Sequence, residues 1–239
     1  GGYMMLGLLM FDQMGSAGGL LHVFNYATCQ AILFMSVFSI LHRTGTTNLN
    51  QLGGLVARMP LSFLAMLVGI IGLAGLPPMN GFVSKWLVYR SLLSDGMPIV
   101  FLASVIGTLG TILSVYKLIH NSFLGQLRVE HEHVKEAPWT MTIPMMLLAI
   151  IIFATGVMPG ISLELVANAQ LAMGLTPVDY HLGGIVSANS AISGDLDMIW
   201  VVLVLFSGFG IAAILFLSAG KSRRVHQLEN YASGHFMNP

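Results

Sequence analysis

Charged side chains are scarce in this sequence. Asp, Glu, Lys and Arg make up 8% of its 239 residues, ten basic against ten acidic, where a soluble domain carries about 25%. Zero net charge excludes a strongly basic nucleic-acid binder and an acidic disordered tail. The single cysteine, Cys29, excludes an internal disulfide and leaves the redox compartment open. Glycine-rich phosphate loops and nucleophile triads are absent. His131 and His133 stand in an acidic run, but no further Cys or His completes a coordination sphere, so they read as a solvated loop and no metal site is expected. The opening residues, Gly1-Gly2-Tyr3, lie inside an apolar run with no basic flank of a signal peptide. The expectation is a fragment, a processed chain or the product of a split gene.

What the sequence has is apolar length. Hydrophobic residues reach 55% and mean hydropathy is +0.80, which points to a membrane protein. A spanning helix needs roughly 20 apolar residues. The runs are 2–11, 18–41, 60–93, 98–124, 140–157 and 198–217. The first is too short to span. The third is too long for one straight helix, and Gly75, Pro77, Pro78 and Gly81 interrupt it. Loop charge decides how often it crosses. Arg43 and Arg58, Arg128 and Lys135, and Lys221, Arg223 and Arg224 fall on one side only if 60–94 crosses once, as a broken helix. The expected fold is all-α: a polytopic transmembrane helix bundle with one broken helix, over residues 1–220, and a polar cytoplasmic tail over 221–239. The 42–59 and 125–138 loops are then cytoplasmic too. Residues 159–196 form a long external loop, with room for an amphipathic helix near 163–173.

Ionisable residues inside a membrane are costly, about 2.5–3.5 kcal/mol each on insertion scales, and are candidates for function. Three cations lie in the runs: Lys85, Arg90 and Lys117. Lys85 follows the break by four residues, where transporters place ions. It is the leading candidate to take up and release protons, with snorkelling as its alternative. Arg90 lies nearer the external end and reads as a snorkelling residue. Lys117, with His120 one turn on, is either a snorkelling pair or an exit toward the cytoplasm. His22, Tyr26 and Gln30 recur every four residues and share one helix face. That stripe is either a hydrogen-bonded proton wire or glue between helices.

These residues resemble a known family. The run 22–35, with His22, Tyr26 and Gln30 followed by Ala-Ile-Leu-Phe, is similar to its His-x-x-x-His-x-x-x-Lys-Ala-Leu-Leu-Phe signature. Residues 44–55 resemble the linker after it, and Leu73 to Lys85, through Pro77, Pro78 and Gly81, resemble its broken helix. The family is the antiporter-like membrane subunits: the L, M and N types of respiratory complex I, those of Mrp cation/proton antiporters and those of membrane-bound hydrogenases. The resemblance runs from about residue 3 to 165. It implies two inverted repeats, of which this chain is the second, with the N-terminal half supplied by another chain or segment. It implies translocation of protons, or of Na⁺ against protons, through His22, water near Tyr26 and Gln30, Lys85, Lys117 and His120. It also implies no bound cofactor, other membrane subunits as partners, no nucleic acid, a transporting rather than catalytic role in an oxidoreductase complex, and a multi-pass location in a prokaryotic cytoplasmic membrane. Tyr26 and Gln30 depart from the signature's histidine and lysine. Glutamine has no titratable group, so a second reading stays open: a degenerate, non-conducting spacer of the membrane arm.

Overall fold

The computed structural model describes residues 1–186 and 195–218. The expected tail, with Lys221, Arg223 and Arg224, lies outside the described residues. Eight α-helices carry the fold: α1 Gly2–Leu9, α2 Gln13–Thr44, α3 Pro60–Ala74, α4 Asn80–Ser94, α5 Pro98–Phe123, α6 Trp139–Val157, α7 Gly160–Ala172 and α8 Met198–Ser218. α2, α5, α6 and α8 are each long and apolar enough to cross a membrane. Residues 1–202 form one compact unit. A second unit begins at Leu203 and holds the rest of α8, an apolar helix of Leu, Ile, Val and Phe side chains.

α2 is the axis of the first unit. Its 32 residues extend about 48 Å at 1.5 Å per residue, longer than a bilayer core of about 30 Å. It starts at Gln13, five residues before the apolar run at 18. The Asp12 carboxylate accepts from the backbone N–H of Gly15 at 2.9 Å and of Met14 at 3.3 Å, and so caps the helix. Glycines in its first turns are there for contact. A Cβ at Gly7 of α1 would come within 2.6 Å of Gly15 O, and one at Gly18 within 2.9 Å of Leu87 and Val88.

The partners of α2 show that α3 and α4 make one crossing. Ile32 and Leu33 pack on Gly69, and Cys29 on Gly72. Asn25 bonds Asn80, His22 bonds Ser84, Gly18 faces Leu87 and Val88, and Asp12 bonds Ser91. As α2 is followed back from 33 to 12, its partners rise steadily from 69 to 91. Two half-helices therefore run antiparallel to one straight helix. The chain turns between them through Gly75, at φ +75°, and the Pro77–Pro78 pair, joined by a cis peptide bond. The halves overlap by about a turn. A Cβ on Gly81 would stand 1.8 Å from Gly72 O, and one on Gly156 of α6 would stand 2.2 Å from Pro78 O.

Each end of the bundle is fastened by a carboxylate. Asp12 also accepts from Ser91 Oγ at 2.8 Å, which joins the start of α2 to the end of α4. At the opposite end Glu136 accepts from Leu61 N at 2.7 Å and Ser62 Oγ at 2.6 Å, capping α3 from the α5–α6 connection. Arg128 donates to Asn50 O at that same end. The connection buries His131 and exposes His133. Apolar clusters stack along α2: one around Leu33, Met59, Met66 and Phe123, one around Ile32, Met145 and Ile152, and one around Leu21, Leu87 and Leu163.

The 159–196 segment is more structured than a loop with one helix. α7 occupies Gly160–Ala172. Beyond it a three-stranded antiparallel sheet forms from β1 Tyr180–His181, β2 Gly184–Ile185 and β3 Leu196–Asp197. Buried Gln170 fixes α7 to α2, donating to Gln13 O at 2.9 Å and Ser16 Oγ at 2.8 Å and accepting from Val178 N at 3.0 Å.

Two expectations follow from this architecture. In a Cys29→Ala background, an impermeant maleimide should label Met173→Cys from the external face and Thr47→Cys only after permeabilisation; labelling of both from one face contradicts the single crossing of α3 and α4. Gly81→Ala meets backbone rather than a movable side chain, and should lower stability of the detergent-solubilised protein by about 1–3 kcal/mol, as overpacking does. Unchanged thermal unfolding would contradict the close approach.

Candidate functional site

The end of α3 leaves backbone carbonyls without a next turn. Ile71 O and Gly72 O are used by the N–H groups of Gly75 and Leu76. Leu73 O and Ala74 O are not reached by any backbone donor of that turn. Lys85 fills them: its Nζ donates to Ala74 O at 2.9 Å and Leu73 O at 3.1 Å. Its third N–H goes to Thr108 Oγ1 at 3.4 Å. Gly75 makes room, since a Cβ there would meet Lys85 Cδ at 2.5 Å. The Tyr3 ring lies over the amine, with its centroid 5.0 Å from Nζ. A buried cation, 4% exposed, is thus held by aligned carbonyls at the negative end of α3. From the sequence only the positive end of α4 was apparent as the setting of Lys85.

α2 brings its stripe to the same place. His22 is buried, and its Nδ1 is 2.8 Å from Ser84 Oγ, which also donates to Gly81 O at 3.2 Å. With the serine hydrogen on Gly81 O, its oxygen accepts from Nδ1–H, and Nε2 is the free acceptor of the ring. Tyr26 and Gln30 follow, half-buried. A cleft of about 770 Å³ is lined by His22, Tyr26, Gln30 and Lys85, by Tyr3 and Leu73, and by Gly107, Gly110, Thr111 and Ser114 of α5. That volume admits a cluster of waters at about 30 Å³ each. The α5 wall is nearly bare, because a Cβ on Gly107 or Gly110 would touch nothing within 4 Å.

Four candidates from the sequence therefore share one cleft: His22, Tyr26, Gln30 and Lys85. Pro77, Pro78 and Gly81 form the break beside it. Lys117 and His120 are not brought there. Both are exposed on α5, beyond the last lining residues, where His120 stacks near Tyr116 at 5.3 Å. Arg90 is half-buried, its guanidinium 5.3 Å from the Trp86 ring centroid, rather than simply extended to an interface.

Several residues of the site were not picked out from the sequence. Tyr89 was findable, four residues after Lys85 and so on the same face of α4. Ser84 is adjacent to Lys85 in the chain. Thr108 and Tyr3 come from other helices. Tyr3 Oη, Tyr89 Oη and Thr108 Oγ1 touch pairwise, at 2.8 Å for Tyr3–Tyr89, 2.6 Å for Tyr3–Thr108 and 2.8 Å for Tyr89–Thr108. On the far side of the break a second polar group joins α2, α4 and α6. Asn25 Nδ2 donates to Asn80 O at 2.8 Å, and Asn80 Nδ2 to Thr28 Oγ1 at 3.3 Å and Thr155 Oγ1 at 3.4 Å.

Comparison with known proteins agrees with this geometry. Residues 1–111 match the family described as NADH:quinone oxidoreductase/Mrp antiporter, transmembrane. The chain is 33% identical over 155 residues to formate hydrogenlyase subunit 3 of Escherichia coli, which covers 60% of this chain and 26% of that protein. It is 33% identical over 181 residues to a Na(+)/H(+) antiporter subunit of Bacillus subtilis, covering 70% of this chain and 23% of that one. The chain spans about a quarter of the length of these relatives. Among solved structures, a chain of the membrane-bound sulfane sulfur reductase, an archaeal respiratory membrane complex, superposes with a TM-score of 0.80 at 29% identity, over 93% of this chain and 36% of that chain. Through residues 1–111 the chain, an integral multi-pass membrane protein, belongs to the NADH:quinone oxidoreductase/Mrp antiporter transmembrane family.

Proposed function

We propose that this chain is part of an ion-translocating subunit of a multisubunit membrane complex, and that protons, or Na⁺ exchanged for protons, pass through the cleft to Lys85. One observation carries the reading: a buried lysine at a helix break shares a water-sized cleft with His22, Tyr26 and Gln30. An amine is the group there that can bind and release a proton, and His22 beside it is the second. Tyr26 and Gln30 hold water along the way. The similarity to complexes driven by redox chemistry and to an antiporter supports the multisubunit setting, with the driving reaction on partner subunits and no cofactor in this chain. The open wall at Gly107 and Gly110 is where we place a partner's helices, including those of the other repeat. Lys117 and His120 join the path only through a surface that such a partner supplies beside α5. The bacterial and archaeal relatives support a prokaryotic cytoplasmic membrane.

The second reading, a non-conducting spacer, is favoured by Gln30 and Tyr26, which carry no exchangeable charge near neutrality. Lys85 separates the two. Lys85→Arg keeps donors for Leu73 O and Ala74 O but stays charged at any working pH. It should assemble and abolish ion transport by this subunit, while Lys85→Met should lose transport and also stability, with two carbonyls left unpaired. Gradient formation in proteoliposomes, measured beside the driving reaction, reads this out. Wild-type stoichiometry in both variants would leave Lys85 as a helix cap and this chain as a spacer.

A further inference from the structure

Of the three groups that hold Lys85 Nζ, two can only accept. The carbonyls of Leu73 and Ala74 have no hydrogen to return, whereas the Thr108 hydroxyl both accepts and donates. With Lys85 as an ammonium, its three N–H groups serve the two carbonyls and Thr108 Oγ1. With Lys85 as an amine, two N–H groups stay on the carbonyls and the nitrogen lone pair accepts from Thr108. The same geometry satisfies both states, and Thr108 is the partner at which the proton changes hands.

Beyond Thr108 stand Tyr3 and Tyr89. Tyr3 Oη donates to Ser104 O. The three pairwise contacts among Thr108, Tyr3 and Tyr89 are then left with the hydroxyl hydrogens of Thr108 and Tyr89 alone, so one contact lacks a hydrogen. Such a cluster has room for a hydrogen to shift. It also has direction. Tyr89 is one turn along α4 from Lys85 toward Ser94, and Ser104 is one turn along α5 from Thr108 toward Pro98. Gln30, Thr111 and Ser114 of the cleft lie the opposite way. Phe101 packs edge-on to Tyr89, centroids 5.4 Å apart, and gives the hydroxyls an apolar neighbour.

We propose that Thr108, Tyr3 and Tyr89 form a proton-specific hydroxyl relay linking Lys85 to the membrane face at the α4–α5 turn. It deepens, and rests on, the reading of Lys85 as the exchanging group. In one transfer the Nζ–H bond of Lys85 breaks as a new Oγ1–H bond forms on Thr108. The hydrogen that Thr108 held passes to Tyr89 Oη, and the one Tyr89 held passes to a water at the α4–α5 end, which leaves as hydronium. Lys85 ends neutral and each hydroxyl ends with one hydrogen. Oxygens in direct contact leave no opening for Na⁺, so what moves beyond Lys85 is a proton.

The test uses the membrane complex that contains this chain, reconstituted with its driving reaction and a pH-sensitive dye. Thr108→Val removes the hydroxyl and keeps the shape; Thr108→Ser keeps the hydroxyl and loses the methyl. Thr108→Val and Tyr89→Phe should each lower proton flux about tenfold or more, the scale at which a proton-transfer group acts, while Thr108→Ser stays close to wild type. A packing role predicts the reverse order, with Ser worse than Val, and that order overturns the relay. Lys85→Arg is run beside them. Wild-type flux in Thr108→Val with flux lost in Lys85→Arg overturns the relay and leaves the proposed function standing; wild-type flux in both overturns the proposed function itself. If Thr108→Val does not assemble, Tyr89→Phe decides alone: flux lost supports the relay and flux kept overturns it.

Discussion

The bond between the Lys85 ammonium and the last carbonyls of α3 is the contact on which the arrangement depends. A helix that ends inside a membrane must find partners for its terminal carbonyls, because lipid offers none. The turn at Gly75 accounts for two of them and Lys85 for the other two. The cost of burying a lysine and the cost of breaking a helix are offset by the same hydrogen bonds. The cation sits at the break because the break supplies its acceptors, and the break is tolerated because the cation is there. Glycines at 72, 81 and 156 let three backbones approach closely enough for the lysine to reach.

The break has two polar sides with different characters. Toward α6, Asn25, Asn80, Thr28 and Thr155 bond one another in a closed group that holds the half-helices against α2 and α6. Toward α5, Lys85, His22 and the α2 stripe border a cleft with a bare glycine wall. The first side gives the second a rigid frame: Asn25 and His22 are neighbours on α2 and Asn80 and Ser84 neighbours on α4, so each pair of bonds fixes the other's register.

Much of this was legible in the sequence, and the limits have physical causes. The helices were legible because an apolar run of membrane length has few alternatives, and the single broken crossing because loop cations sort to one side. His22, Tyr26, Gln30 and Lys85 were legible as polar groups in apolar runs. The start of α2 was not, because Asp12 and a run of glycines read as a turn until their role in capping and close packing is seen. The short strands after α7 carry no alternation to detect. Which face of α5 meets the cleft was also hidden. Glycines 107 and 110 and Thr108 point to it only in three dimensions, and Lys117 falls on the wrong face although its spacing from the membrane edge looked suitable. The negative end of α3 beside Lys85 follows from chain reversal at the prolines, which no local pattern states.

Cryo-electron microscopy of the assembled complex in lipid nanodiscs, at a resolution that shows ordered water, tests the central claim most directly. The account predicts waters in the cleft from Gln30 past His22 to Lys85 Nζ, with Lys85 still bonded to Leu73 O and Ala74 O. A cleft filled by acyl chains or partner side chains, with no water in contact with Lys85, would contradict it.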